Sequence, residues 1–378
     1  MYDINSEKLI SIILAAFGLP AKDVEFNYDD VVAITNMANR QRILPIVVVG
    51  IKNIGRLDLL TETMLKDEAK AVYNYTQRKV SLNEISEVFE KESIPYIPLK
   101  GSVLCDYYPY PWMRTSSDID VLIHEEDIKN AIQALKLYTD FEYLRHDRHD
   151  VHFVNKSVHL ELHFSFEYSI EKIDKALSDP WDSIVKPDDS YRCSFTPEYN
   201  LFYIVTHAAK HFIQNGGIGI RPILDIYFLK TYSVFDEKRF MAYCDEAGVS
   251  GFYKQCCKLI DVWFNKESHD DISKIFENIV ISGGVFGSKY LKLVSNKRND
   301  SGRRYIGRRI FKSSEEIKNY FPVCRKHPIL VPYYQVVRWT RMLRTKRPGE
   351  YVSEFKQANL VEQSEVVMYD ELMKAMGL

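Results

Sequence analysis

The sequence predicts an α+β protein, a small mixed β-sheet core flanked by N-terminal and C-terminal helical regions. Three observations predict it. Residues 59–92 are an amphipathic run free of Pro and Gly, which is what a long helix requires. At Ile94 the period shifts to short β-branched stretches bounded by Pro and Gly, the signature of strands. Beyond Pro187 the helical period returns. The resulting divisions are an N-terminal helical bundle over 1–93, the sheet core over 94–190, and a C-terminal helical domain with a basic segment over 191–378.

Composition bounds the class. A chain of 378 residues with 46% apolar content can bury two or three structural units. The N-terminus places acids ahead of an apolar stretch of about eleven residues, whereas a secretory signal wants a basic start and a membrane span about 20 apolar residues. A cytoplasmic protein without membrane association is expected. Six cysteines show no CxxC pair, so buried free thiols are expected rather than a disulfide framework or zinc ribbon. Net charge is −2, yet residues 289–347 hold seventeen Lys or Arg against three acids.

Taken in order, Leu9, Ile10, Ile13 and Leu14 form one apolar stripe, and Val31–Ile51 continues it, giving three or four N-terminal helices. The run IPYIPL then reads as a strand, Ser102–Tyr108 as about two helical turns, and YYPYPWM as a loop. Asp118–Ile123 alternates acid and apolar residues, so both aspartates leave one face of a strand. A helix over Glu125–Tyr138, acidic in its first turn, precedes strands at Phe141–Arg145, Val151–Val154 and Val158–Phe164. The sum is β-α-β-α-β-β-β. Thr196 and Pro197 signal a helix start. QNGGIGI separates that helix from RPILDIYFLKTY, and further helices follow. SNKRNDSGRRYIGRR reads as a mobile loop and VPYYQVVRWTRMLRTKR as an amphipathic helix.

The chemistry concentrates in the core. Asp118, Asp120 and Glu161 are expected to converge on one sheet face. Three carboxylates so placed repel one another unless a cation neutralises them, and Mg²⁺ takes such oxygens together with phosphate oxygens. An isolated Asp-x-Asp is usually a solvated strand face, so the neighbours matter. Gly101-Ser102 lies where a strand meets a helix, a turn whose backbone can approach phosphate. Arg114 precedes the aspartates, placed either to clamp triphosphate oxygens or to pair with Asp106 or another acid.

The order LKGS, an intervening arginine, SDIDVLI and a later LELH strand resembles the polymerase-β-like nucleotidyltransferase superfamily. More narrowly it resembles the bacterial uncharacterised nucleotidyltransferase family, tightly over Ile97–Ser165 and loosely over His207–Asp225. The resemblance implies a nucleotidyltransferase core in which Gly101 and Ser102 hold the triphosphate and Lys100 belongs to the nucleotide-binding set. It also implies that Asp118 and Asp120 bind two Mg²⁺ ions and that Glu161 is the third carboxylate, as metal ligand or general base. The segment between Gly-Ser and the aspartates is longer and more aromatic than in many superfamily members.

Other candidates have two readings each. His163 shares the parity of Glu161, as a base or acceptor contact or as a packed strand-end histidine. His152, His159 and His163 match no closed zinc spacing. His207 and His211, at i and i+4, with Arg221 and Asp225, either line the nucleotide cleft or tie helices together. The basic segment 289–347 either binds a polyanion or pairs with acids elsewhere in the chain. The function expected is Mg²⁺-dependent transfer of an NMP, with ATP the expected donor, to a hydroxyl or phosphate acceptor, releasing pyrophosphate. The acceptor, whether small molecule, protein, peptide or RNA, is not specified by sequence. A non-catalytic nucleotide-binding or regulatory module, and a protein- or peptide-modifying enzyme, are the competing expectations.

Overall fold

The computed structural model describes residues 4–20, 25–285, 287–299, 311–345 and 362–378. Four helices lead: α1 (Ile4–Ala16), α2 (Tyr28–Gln41), α3 (Leu44–Asn53) and α4 (Glu62–Lys91). Asn27 caps α2 by accepting from Asp30 N at 2.9 Å, and Thr61 caps α4 by accepting from Met64 N at 3.2 Å, satisfying donors that a helix start leaves unpaired.

The core then reads β1 (Tyr96–Leu99), α5 (Gly101–Leu104), β2 (Asp118–Ile123), α6 (Ile128–Tyr138), β3 (Glu142–His146), β4 (Asp150–Val154) and β5 (His159–His163). These strands form a five-stranded mixed sheet ordered β1-β2-β5-β4-β3, with β2 and β5 parallel and the other pairs antiparallel. Alternation gives the sheet two chemically distinct faces. Ile119, Val121, Val151, Phe153, Leu160 and Leu162 bury one face against Ile85 and Phe89 of α4 and Ala131 and Leu135 of α6. On the other face Asp118, Asp120, Glu161, His159 and His152 stand on adjoining strands.

Next come α7 (Glu171–Ala176), the small hairpin β6 (Ile184–Val185) and β7 (Ser194–Phe195), and helices α8 (Pro197–Asn215), α9 (Ile220–Tyr232), α10 (Glu237–Ala247), α11 (Ser250–Phe264), α12 (Asp271–Ser282) and α13 (Lys289–Asn299). The last described helices are α14 (Ser314–Tyr320), α15 (Val323–Lys326), α16 (Val331–Thr345) and α17 (Gln363–Met376). The larger hydrophobic core joins Ile12, Ile34 and Val47 of α1–α3 to Phe202, Phe212, Leu224, Phe252 and Phe276 of α8–α12 and to Leu372 of α17. Helix α4 therefore divides between two cores, since its Met64 lies in the larger one and its Phe89 in that of the sheet.

Two local expectations differ from the structure. Thr196 precedes Pro197 at the start of α8, but its hydroxyl makes no capping bond and is buried without a partner among the described residues. Pro197 fixes the helical φ without the side chain's help. The first residues of the expected mobile loop, 295–299, belong to α13; 300–310 lie outside the described residues. All six cysteines are free thiols.

Candidate active site

One cavity of about 270 Å³ lies between the polar sheet face and the helices after it. Its acidic wall is Asp118, Asp120 and Glu161; Lys100, Arg114, His207, His211, Arg221 and Asp225 also line it. The parallel pairing of β2 with β5 sets Asp120 directly beside Glu161 and Asp118 beside His159. Of the other residues singled out by sequence, Gly101, Ser102 and His163 do not line this cavity. Gly101 instead packs against two residues that do, Arg114 and Ser116. A Cβ there would stand 2.7 Å from Arg114 Nη1 and 2.8 Å from Ser116 Oγ, so any larger residue would have to displace those side chains.

Asp120 is 3% exposed and paired twice. Lys100 Nζ donates to its Oδ1 at 2.7 Å, and His163 Nε2 lies 2.9 Å from the same oxygen. Burial alone would raise the Asp120 carboxyl; the Lys100 ammonium and the His163 bond outweigh it and hold the group well below the carboxylate range. His163 in turn is lowered by burial, so the neutral imidazole donates its Nε2 proton. Lys100 reaches Asp120 from a strained backbone, φ 46° and ψ −117° at the strand-to-helix junction. Asp118 Oδ1 accepts from Ser116 Oγ at 2.8 Å.

Glu161 behaves differently. Burial first, then the neighbouring Asp120 charge, pushes its carboxyl up to about 7, with Lys100 opposing. This is the electrostatic signature of acids gathered faster than their cations. The donor set fits Mg²⁺: it is hard carboxylate oxygen, crowded and short of positive charge. Among the described residues, ligating atoms of Asp120, Glu161 and His163 lie within 4.8 Å of one another, as do those of His152, His159 and Glu161 and those of Asp147, Asp150 and His152.

The opposite wall is cationic. On α8, His207, Lys210 and His211 share a face by their i, i+3 and i+4 spacing. The two imidazoles meet Nε2 to Nε2 at 3.1 Å. Burial pushes His211 down to about 4, with Lys210 adding to it, and holds His207 well below its ordinary value. His207 Nδ1 is buried without a hydrogen-bond partner among the described residues. On α9, Arg221 donates to Thr115 O at 2.8 Å, while Asp225 accepts two bonds from Arg114, at 3.2 and 2.9 Å, and one from Tyr108 at 2.8 Å. Arg114 thus clamps a carboxylate of its own chain, Asp225 rather than Asp106, both partners being buried.

Sequence reasoning missed Arg42, Ser116, Ser117 and Lys210, all of which line the cavity. Lys210 was findable, since it shares the helical face of His207. Arg42 was not: it ends α2 in the left-handed region at φ 53°, and Thr115 Oγ1 donates to its carbonyl at 2.7 Å across 73 residues.

The chain, with its mixed sheet bearing acids on β2 and β5 beside a cavity, is a member of the polymerase-β-like nucleotidyltransferase superfamily. The family described as "Uncharacterised nucleotidyltransferase" matches residues 28–265, and the chain belongs to it. The antibiotic-resistance factor ANT(2'')-Ia, whose solution structure "Reveals Substrate-Regulated Conformation Dynamics", superposes with a TM-score of 0.35 at 9% identity, over 51% of this chain and 100% of that one. No curated protein matches the chain.

Proposed function

We propose that this protein is a Mg²⁺-dependent nucleotidyltransferase that moves an NMP, with AMP from ATP the expected case, to a hydroxyl or phosphate acceptor and releases pyrophosphate. The observation that carries this is one cavity lined by the carboxylates of Asp118, Asp120 and Glu161 together with the cations of Arg42, Lys210 and Arg221. Asp118, Asp120 and Glu161 would hold the metal, in the family's manner as two ions. Bound there, Mg²⁺ supplies charge stabilisation at the attacking and leaving oxygens. The chain's own residues bind and orient: Arg42, Lys210 and Arg221 face the triphosphate. Lys100 and His163 fix the Asp120 carboxylate in place. Positioning and charge complementarity then account for most of the rate expected of such a site.

A second reading has an observation of its own. With Lys100 and His163 on one oxygen, Asp120 is neutralised without any metal, which suits a module that binds nucleotide and transfers nothing. Calorimetry separates the two. Wild type should bind ATP with Mg²⁺ and weakly without it, and Asp118→Ala/Asp120→Ala should lose the metal-dependent part. Equal, metal-independent binding by both proteins would sink the transferase reading. Transfer to a protein or peptide would appear in mass spectrometry of candidate partners as a mass gain of one nucleotide.

A further inference from the structure

Farther across the polar sheet face, β4 and β5 carry a second cluster. His152 on β4 stands opposite Glu161 on β5 and is 4% exposed. Its Nε2 lies 3.0 Å from Asp150 Oδ1. With the Nε2 proton given in a hydrogen bond to the Asp150 carboxylate, Nδ1 presents a lone pair, which Arg145 Nη2 also approaches at 3.4 Å. That Nδ1 is 3.3 Å from His159 Nε2 and 3.8 Å from Glu161 Oε1, while His159 Nδ1 is 3.5 Å from the same oxygen. The two rings are 23° from parallel with centroids 5.1 Å apart.

We propose that His152, His159 and Glu161 form a binding site for a borderline divalent transition metal such as Zn²⁺, distinct from the carboxylate set and sharing only Glu161 with it. One ligating atom from each lies within 4.8 Å of the others. Tetrahedral zinc with bonds of about 2.0–2.1 Å places its ligands roughly 3.3–3.4 Å apart, so the two nitrogens need almost no adjustment. The Asp150–His152 bond is the carboxylate–imidazole support that fixes tautomer and orientation at metal-bound histidines. Two nitrogens and one oxygen select zinc or a neighbouring transition metal over Mg²⁺. Three protein ligands leave a fourth position for water or a substrate oxygen. Arg145 lies 3.2 Å from His152 Nε2, and Asp147 balances that charge at 2.6 Å. The fold explains why sequence spacing does not display the site. His163 turns to Asp120, and Glu161 takes the place a third histidine would have held.

The competing arrangement is a metal-free relay in which His159 Nε2–H donates to His152 Nδ1. Chelator-stripped protein titrated with Co²⁺, a coloured probe for zinc sites, decides between them. Wild type should develop the visible absorption of a low-coordinate nitrogen–oxygen site, and Zn²⁺ should abolish it. His159→Gln, altering a half-buried side chain and checked for folding by circular dichroism, should weaken Co²⁺ uptake by roughly tenfold or more. Asp118→Asn, outside the cluster, should retain the spectrum. The proposal is overturned if wild type shows no such absorption at micromolar Co²⁺, if His159→Gln matches wild type, or if Asp118→Asn removes the signal as fully as His159→Gln.

Discussion

At the scale of single residues, the cavity depends on charges that would be intolerable unpaired. Arg114 and Asp225 are 6% and 4% exposed and joined by two hydrogen bonds. Removing one partner strands the other, so Asp225→Ala should cost about 3–5 kcal/mol in urea unfolding. Arg114→Met/Asp225→Leu should recover much of that loss, because the penalty lies in the uncompensated charge. Gly101→Ala should cost about 1–3 kcal/mol by forcing its new Cβ into Arg114 and Ser116, and a melting experiment checks it. Lys210 lines the cavity with its ammonium 4.4 Å from the centre of the Tyr168 ring. Under the proposed function, Lys210→Gln should weaken Mg·ATP binding by about tenfold in calorimetry, the equivalent of about 1.4 kcal/mol.

At the scale of elements, the end of α4 fastens the outer edge of the sheet. Glu90 accepts from Ser190 Oγ at 2.6 Å, Tyr191 N at 3.0 Å and Arg192 N at 3.1 Å. That segment bonds in turn to Tyr96 of β1, covering an otherwise open strand edge. Burial would raise the Glu90 carboxyl, but the hydrogen bonds from Ser190, Tyr191 and Arg192 prevail and lower it below its ordinary 4.5. Its stabilisation is therefore complete above pH 4.5 and is lost as pH falls below that value toward the folded-state pKa. Glu90→Gln should be less stable than wild type by about 1–2 kcal/mol at neutral pH. The gap between their melting temperatures should narrow as the buffer is made more acidic. Legibility also divides at this scale. The alternation in DIDVLI and HLELHF displayed both acid-bearing strands and their facing residues, because a period of two is written locally. The Glu90 clamp spans a hundred residues of separation or more, and the Arg114–Asp225 pair spans 111. No local period records such partners, so Arg114 was visible only as a cation seeking some acid.

At the scale of the whole molecule, the N-terminal helices are structural members of the C-terminal half. Gln41, the last residue of α2, is fully buried. Its amide donates to Val280 O at 2.8 Å and Gly283 O at 2.8 Å, and its carbonyl accepts from Ile220 N at 3.0 Å. A chain begun at residue 94 should therefore lack a cooperative unfolding transition, as circular dichroism on heating would show. Helical character on either side of the sheet was evident from periodicity, whereas the merging of both sides into one core was not, since amphipathic stripes do not name their partners.

The Gln41 clamp also fixes an order of events during synthesis. The sheet and its covering helices are complete in sequence by Phe164. Arg42, which lines the cavity, directly follows Gln41, whose partners lie at Ile220 and at 280–283. On the ribosome the acidic face is therefore made more than a hundred residues before the last tie of its basic wall emerges. For that interval the nascent chain carries the acidic face, with Asp120 already paired to Lys100 and His163, but without the tie of Gln41 to α12.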